Sequence, residues 1–264
     1  MLKRTLTGTV IVAVVYCTVF FSEKISWLLT LGTALLTAAA IYELFHAASI
    51  RNKGIILLSA AVAVAVVISP FPGYLSILGV VFSAAMIIFG VWMTRLKPGD
   101  GKQWWIYPTS ASVTLLFKAI PELNQRELIA AITVCFLTDV AAYLVGSRYG
   151  KHYLARVVSP HKTLEGSAAG LIAAVGFVLI YGAVLSENGI GTFDALRLCA
   201  YALPASAVAQ FGDLTMSTIK RSFGVKDFGN ILPGHGGVLD RFDSHIFCVA
   251  FTLLFSSVTD GIFR

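Results

Sequence analysis

Apolar runs almost free of charge recur along this chain at 5–21, 26–48, 54–69, 73–94, 104–120, 128–147, 168–186, 195–215 and 245–260. Each approaches the roughly 20 residues that an α-helix needs to cross a bilayer. An ordinary soluble domain carries about 25% charged residues, whereas this chain carries 13%. Within lipid, backbone N–H and C=O groups must be paired internally, so such runs fold as helices. The sequence therefore reads as an all-α polytopic integral membrane protein with about nine transmembrane helices. The short run at 54–69 and the polar residues within 104–120 and 195–215 leave eight open. The run at 5–21 follows Lys3 and Arg4 as a signal peptide would, but the FSEK after it offers no small-residue cleavage site, and it reads as a retained first helix.

Basic residues orient these spans. With the N-terminus cytoplasmic and the helices alternating, fifteen of the 20 lysines and arginines fall in cytoplasmic segments. Four fall outside (Lys24, Arg126, Arg197 and Arg264), and Lys118 sits near the outer end of a span, from which it is expected to snorkel. The net charge of +6 is thus largely a topological signal and does not indicate a nucleic-acid partner. This topology puts the two most polar loops, 148–167 and 216–244, together on the cytoplasmic side. Residues 1–130 form an N-terminal group of about five helices without a chemical motif, and 131–264 form a C-terminal region that carries the chemistry. Cys17, Cys135, Cys199 and Cys248 all lie in apolar runs without metal-ligand spacing, and read as buried free thiols.

The segment KRSFGVKDFGNILPGHGGVLDRFDS, 220–244, concentrates four cations, three aspartates, one histidine and five glycines. Asp213, Ser217 and Lys220 fall at i, i+4 and i+7 and share a helix face, while Asp240 and Asp243 are one turn apart where the last helix begins. Carboxylates beside lysines and arginines suit a hard divalent cation that, with the basic groups, neutralises phosphate oxygens. Magnesium with a nucleotide fits that pattern, and the scarcity of sulfur and imidazole argues against zinc or copper. The other loop, SPHKTLEGS, sets Lys162, Thr163 and Glu165 at the start of a helix, a plausible phosphate-contacting turn. Asp139 lies inside a span, where an ionisable residue is a functional candidate by default.

These residues resemble the bacterial phosphatidate cytidylyltransferases, or CDP-diacylglycerol synthases. The family signature is matched at Ser217, Lys220, Arg221, Lys226, Asp227, Gly229, Pro233, His235, Gly236, Gly237, Asp240, Arg241 and Asp243. A second motif is matched at Ser159, Pro160, Lys162, Thr163, Glu165 and Gly166, and an upstream element at Asp139, Ala142, Tyr143 and Gly146. The family often has a glutamate before the signature serine, where this chain has Met216, and a threonine or serine where it has Val140. The resemblance implies transfer of the cytidylyl group of CTP to phosphatidic acid in the bacterial inner membrane, at a cavity on the cytoplasmic boundary. It implies Mg2+ held by Asp213 and Asp240, a second cation, K+, beside it, and a homodimer as a possible assembly. Lys220, Arg221, Lys226 and Arg241 are then expected to bind phosphate oxygens, and Asp227 and Asp243 to support the metal. His235, Gly236 and Gly237 would lie against phosphate, with Ser159, Lys162, Thr163, Glu165, Ser217 and Asp139 completing the substrate pocket. Another CTP-dependent lipid-phosphate transferase is the nearest alternative, and a polytopic transporter a more distant one.

Overall fold

Side-chain caps set the start of three helices. In the computed structural model, residues 2–70, 78–79, 81, 83, 105–155, 158–186, 191–232, 236–259 and 261–263 are described. Most of the expected span at 73–94 lies outside them, as do Pro233 and His235. In chain order the elements are α1 (Leu2–Phe21), α2 (Ser26–Ala47), α3 (Lys53–Ile68), α4 (Ile106–Lys118), α5 (Gln125–Tyr149), β1 (Tyr153–Ala155), β2 (Ser159–Thr163), α6 (Leu164–Leu185), α7 (Thr192–Ser222) and α8 (Leu239–Thr259). Asn52 caps α3 through its side-chain oxygen, Asn124 caps α5, and Thr163 caps α6. Each satisfies N–H groups that a first helical turn leaves without partners.

Among the described residues, four helices are long and apolar enough to cross a membrane: α2, α5, α6 and α8. With 16 residues α3 is shorter, and α4 has 13. At 31 residues α7 is the longest. With a rise of about 1.5 Å per residue it is about 46 Å long.

Hydrogen bonds sort the helix ends into two faces. On one face the Gln125 side chain donates to the carbonyls of Val19 and Phe20, Arg197 to that of Thr259, and Lys118 to those of Val67 and Ser69. On the other, the C-terminal ends of α2, α5 and α7 meet the N-terminal ends of α6 and α8, and the polar loops gather there. Successive described helices therefore alternate in direction, except that α3 and α4 finish on the same face.

Between these faces α5 and α6 approach closely. The buried stripe of α6 is Gly166, Gly170, Ala174, Val178 and Gly182. A Cβ on Gly166 would lie 2.5 Å from the Ala142 carbonyl oxygen, and one on Gly170 3.0 Å from Thr138. Small residues at four-residue spacing let helix backbones come together where no hydrophobic force separates protein from lipid. Polar pairs add cross-links: Thr138 with Ser206 at 2.8 Å and Tyr201 with Thr252 at 2.9 Å.

The described residues are mostly helical, as expected, with one antiparallel hairpin of β1 and β2 within the loop at 148–167. Two expectations need correction. Lys118 does not snorkel: it is 4% exposed and bound to the end of α3, with Glu122 at 3.2 Å. Of the cysteines, Cys135 and Cys248 are buried, but Cys17 is exposed on the outer surface of α1 and Cys199 is half-buried.

Candidate active site

The end of α7 and the start of α8 are joined through a single ammonium group. Lys220 donates to Asp240 at 3.0 Å and to Asp243 at 3.3 Å, and it lies over the Phe228 ring at 5.4 Å. All three charged groups are buried. The helical spacing seen in the sequence accounts for this arrangement, because Asp240 and Asp243 rise on one side of α8 towards the last turn of α7. The second oxygen of Asp240 accepts the backbone N–H groups of Phe228 and Gly237, at 2.9 and 3.0 Å. Asp240 thereby fixes both ends of the glycine loop.

Gly236 adopts φ +82°, a left-handed conformation that a side chain would strain. A Cβ there would also come within 3.3 Å of Asp240 and 3.6 Å of Asp227, so Asp227 borders the same turn.

A second ion pair stands two turns earlier on α7. Lys162, at the end of β2, pairs with Asp213 on α7, and Ser217 donates to the other Asp213 oxygen at 3.3 Å. Asp213 remains 26% exposed at its side chain, unlike Asp240 at 2%. It is within electrostatic reach of Asp139, Asp243 and Lys220, and Asp139 also faces Lys162 and Arg241. Three helices, α5, α7 and α8, and strand β2 thus contribute to one charged centre. Beside it is a cavity of about 170 Å³ that includes Asp139, Lys162, Ser167 and Gln210 in its lining.

The other sequence candidates are placed as follows. Thr163 is buried and accepts the Gly166 N–H as the cap of α6. Glu165 accepts the backbone N–H groups of Lys151 and His152 and pairs with the His152 ring at 2.7 Å, which ties the hairpin to α6. Ser159 pairs with Ala155 across the hairpin. Arg221 donates to the Val225 carbonyl and closes the end of its own helix. Lys226, Asp227 and Arg241 are exposed around the loop, and Gly237 is buried within it. His235 lies outside the described residues. Met216 is fully buried in the core.

Two contributions escaped the sequence reading. Glu43, in the middle of an apolar run on α2, is 1% exposed. Its oxygens accept the N–H groups of Val238 and Leu239 at 2.8 and 2.9 Å, at the start of α8. A Cβ on Gly229 or Gly237 would fall within 2.6 and 2.5 Å of this carboxylate, so the loop glycines make room for it. A lone acid in a membrane span was the available signal. Gln210 and Ser167 form the other: Ser167 donates to the amide oxygen, and the amide nitrogen returns to the Ser167 carbonyl.

The centre thus holds a lysine between two buried carboxylates, beside a second lysine and two more accessible carboxylates. A sequence profile of the cytidylyltransferase family matches residues 2–259. The chain belongs to this family. Among its relatives, phosphatidate cytidylyltransferase of Staphylococcus aureus (strain COL) is 44% identical over 122 residues, covering 46% of this chain and 45% of the relative. The enzyme of that name in Staphylococcus haemolyticus (strain JCSC1435) is 44% identical over 133 residues, 50% of each chain. That in Staphylococcus epidermidis (strain ATCC 35984) is 41% identical over 122 residues, 46% of this chain and 45% of the relative. The chain spans about half the length of the curated relatives it matches. Among the described residues, no three His, Cys, Asp or Glu side chains converge as a metal-binding group.

Proposed function

We propose that this protein transfers the cytidylyl group of CTP to phosphatidic acid, forming CDP-diacylglycerol and pyrophosphate. The observation that carries the reading is the convergence of Lys220, Asp240 and Asp243 with the Lys162–Asp213 pair, beside a cavity lined by Asp139. Family membership and the names of the relatives support the same chemistry.

In this reaction an oxygen of the lipid phosphate attacks the α-phosphorus of CTP in line, the bond to the β-phosphate oxygen breaks, and pyrophosphate leaves with its electron pair. Catalysis of this kind is positioning plus charge neutralisation. Lys162 and Lys220 hold positive charge where the triphosphate and the lipid phosphate meet, and the exposed Lys226 and Arg241 draw anions towards them. Asp240 anchors the loop against which the phosphates rest, through its bonds to Phe228 and Gly237. The donor set suits Mg2+, which takes one or two carboxylates and fills its remaining positions with water and substrate phosphate. Asp213, the more exposed of the two, and Asp240, once Lys220 gives up its Oδ1, would hold it, with K+ nearby, and the metal when bound neutralises the charge that develops on the α-phosphate and the leaving pyrophosphate.

The same reading sets the protein in a bacterial inner membrane with nine spans, the N-terminus and the site on the cytoplasmic side, and two protomers as its assembly. Support comes from the alternation of the described helices and from α3 and α4 finishing on one face, the arrangement that a span at 73–94 between them requires. Withdrawing acyl chains from lipid costs about 0.8 kcal/mol per CH2, so the site must receive phosphatidic acid sideways while CTP enters from water.

The test is a substrate panel. Purified protein with Mg2+, CTP labelled in the α-phosphate and a set of lipid phosphates should yield labelled CDP-diacylglycerol and an equal amount of pyrophosphate with phosphatidic acid. Labelled product only from a different lipid phosphate would reassign the substrate, and no lipid product with any divalent metal would end the reading.

A further inference from the structure

The charged cavity has a neighbour of different character. A second cavity of about 660 Å³ is lined by Tyr143, Ser147, Tyr153, Pro160 and His161. It shares Tyr143, His161 and Thr163 with the cavity holding Asp139 and Lys162. The two form one trough, running from the Lys162–Asp213 pair out along the end of α5 and the hairpin. At its inner end the Lys162 ammonium pairs with Asp213 and carries three N–H donors, of which this one partner uses only part. That leaves N–H donors for an anion. At the outer end two aromatic rings stand unburied, Tyr143 at 73% and Tyr153 at 51% exposure. Tyr153 is held opposite Thr163 by the register of the hairpin, so the cap of α6 fixes both ends of the trough relative to one another.

We infer that this aromatic end is the subsite for the pyrimidine base of the nucleotide, resting on the cytidylyltransferase reading above. A nucleoside triphosphate carries anionic and planar aromatic parts at opposite ends, and the trough offers an ammonium group and exposed tyrosine rings in the same order. Stacking against aromatic side chains is the sequence-tolerant part of base recognition. Ser147, His161 and backbone groups bring hydrogen-bonding partners for the base edge. The alternative occupant, an acyl chain, matches the walls poorly. The apolar groove of about 390 Å³ between α1, α2, α5 and α8, lined by residues such as Val14, Leu36, Ile132 and Val249, has the chemistry for that. This groove, however, meets α8 through Val238, Phe242, His245 and Val249, a stripe pointing away from Asp240 and Asp243. Tyr143 belongs to a motif for which the phosphate chemistry alone gives no use, and the base subsite supplies one.

The experiment compares ligands with and without a base. Full-length protein in detergent with Mg2+ is titrated calorimetrically with CTP and, separately, with inorganic tripolyphosphate, for the wild type and for Tyr143→Leu, Tyr153→Leu, Tyr143→Phe and Tyr153→Phe. The leucine variants should bind CTP about tenfold more weakly, a change of about 1.4 kcal/mol, and should bind tripolyphosphate within about twofold of the wild type. The phenylalanine variants, which keep the ring, should bind CTP as the wild type does. Leucine variants that bind CTP normally, or that lose CTP and tripolyphosphate together, overturn the base subsite and leave the cytidylyltransferase reading standing. A wild type that binds no CTP overturns both.

Discussion

Glu43 offers a sharp test of how the site is held, because it lies on α2 and acts on α8. Its two oxygens satisfy the Val238 and Leu239 N–H groups at 2.8 and 2.9 Å, and all three residues are buried. Replacing it with alanine leaves two buried donors without acceptors, at about 1–3 kcal/mol each, or about 2–6 kcal/mol together. For a chain of this size about 1 kcal/mol shifts the melting temperature by about 2–4 °C, so Glu43→Ala should melt at least about 4 °C lower. Glu43→Gln keeps one acceptor and turns an NH2 group towards the other backbone N–H, and should fall between the alanine variant and the wild type. The start of α8 carries Asp240, so freeing it should displace a group in the charged centre. A displacement of about 1 Å in such a centre costs on the order of a hundredfold in rate. The assay is thermal unfolding in detergent together with kcat and KM for CTP at saturating Mg2+. The loss should appear in kcat more than in KM, since Lys162 and the hairpin lie on other elements. An alanine variant that melts and turns over like the wild type would refute the reasoning.

Lys118→Met should lower the melting temperature by several degrees, since it leaves the Val67 and Ser69 carbonyls without their donor at about 1–3 kcal/mol. It should leave kcat unchanged, because Lys118 is on the face opposite the charged centre. Gly166→Leu should force α5 and α6 apart, with a Cβ 2.5 Å from the Ala142 oxygen, and should abolish both cooperative unfolding and activity. Gly176→Leu on the same helix, where a Cβ meets nothing within 4 Å, should be neutral by the same two measurements. Lys220→Gln leaves Asp240 and Asp243 facing each other in a buried site and should cost about 3–5 kcal/mol in urea unfolding. Combining it with Asp243→Asn should recover more than 1 kcal/mol of that loss, the sign of a direct coupling.

The charged centre was legible in the sequence because helical spacing alone puts Asp240 above Asp243 and Asp213 two turns before Lys220. The pairing of Lys220 with both carboxylates follows once the two helix ends meet. The hairpin was not legible. Its strands have three and five residues, too short for an alternating pattern to emerge, and the loop's charges read as surface. Glu43 was passed over because one acid in an apolar run names no partner, and Val238 lies almost two hundred positions away. Lys118 misled for a related reason: a lysine near a helix end looks free to snorkel until the α3 terminus closes over it. Long-range hydrogen bonds between membrane helices leave little trace in local spacing, whereas residues one or two turns apart declare their shared face directly.

The most direct measurement follows label from the α-phosphate of CTP into phosphatidic acid, with Mg2+ present, for the wild type, Asp213→Asn and Asp240→Asn. The wild type should produce labelled lipid. Each asparagine variant should transfer label at least about a hundredfold more slowly, and Asp213→Asn, whose side chain is partly exposed, should do so while keeping its melting temperature. Folded variants that transfer label at near the wild-type rate would contradict the assignment of these carboxylates to cytidylyl transfer.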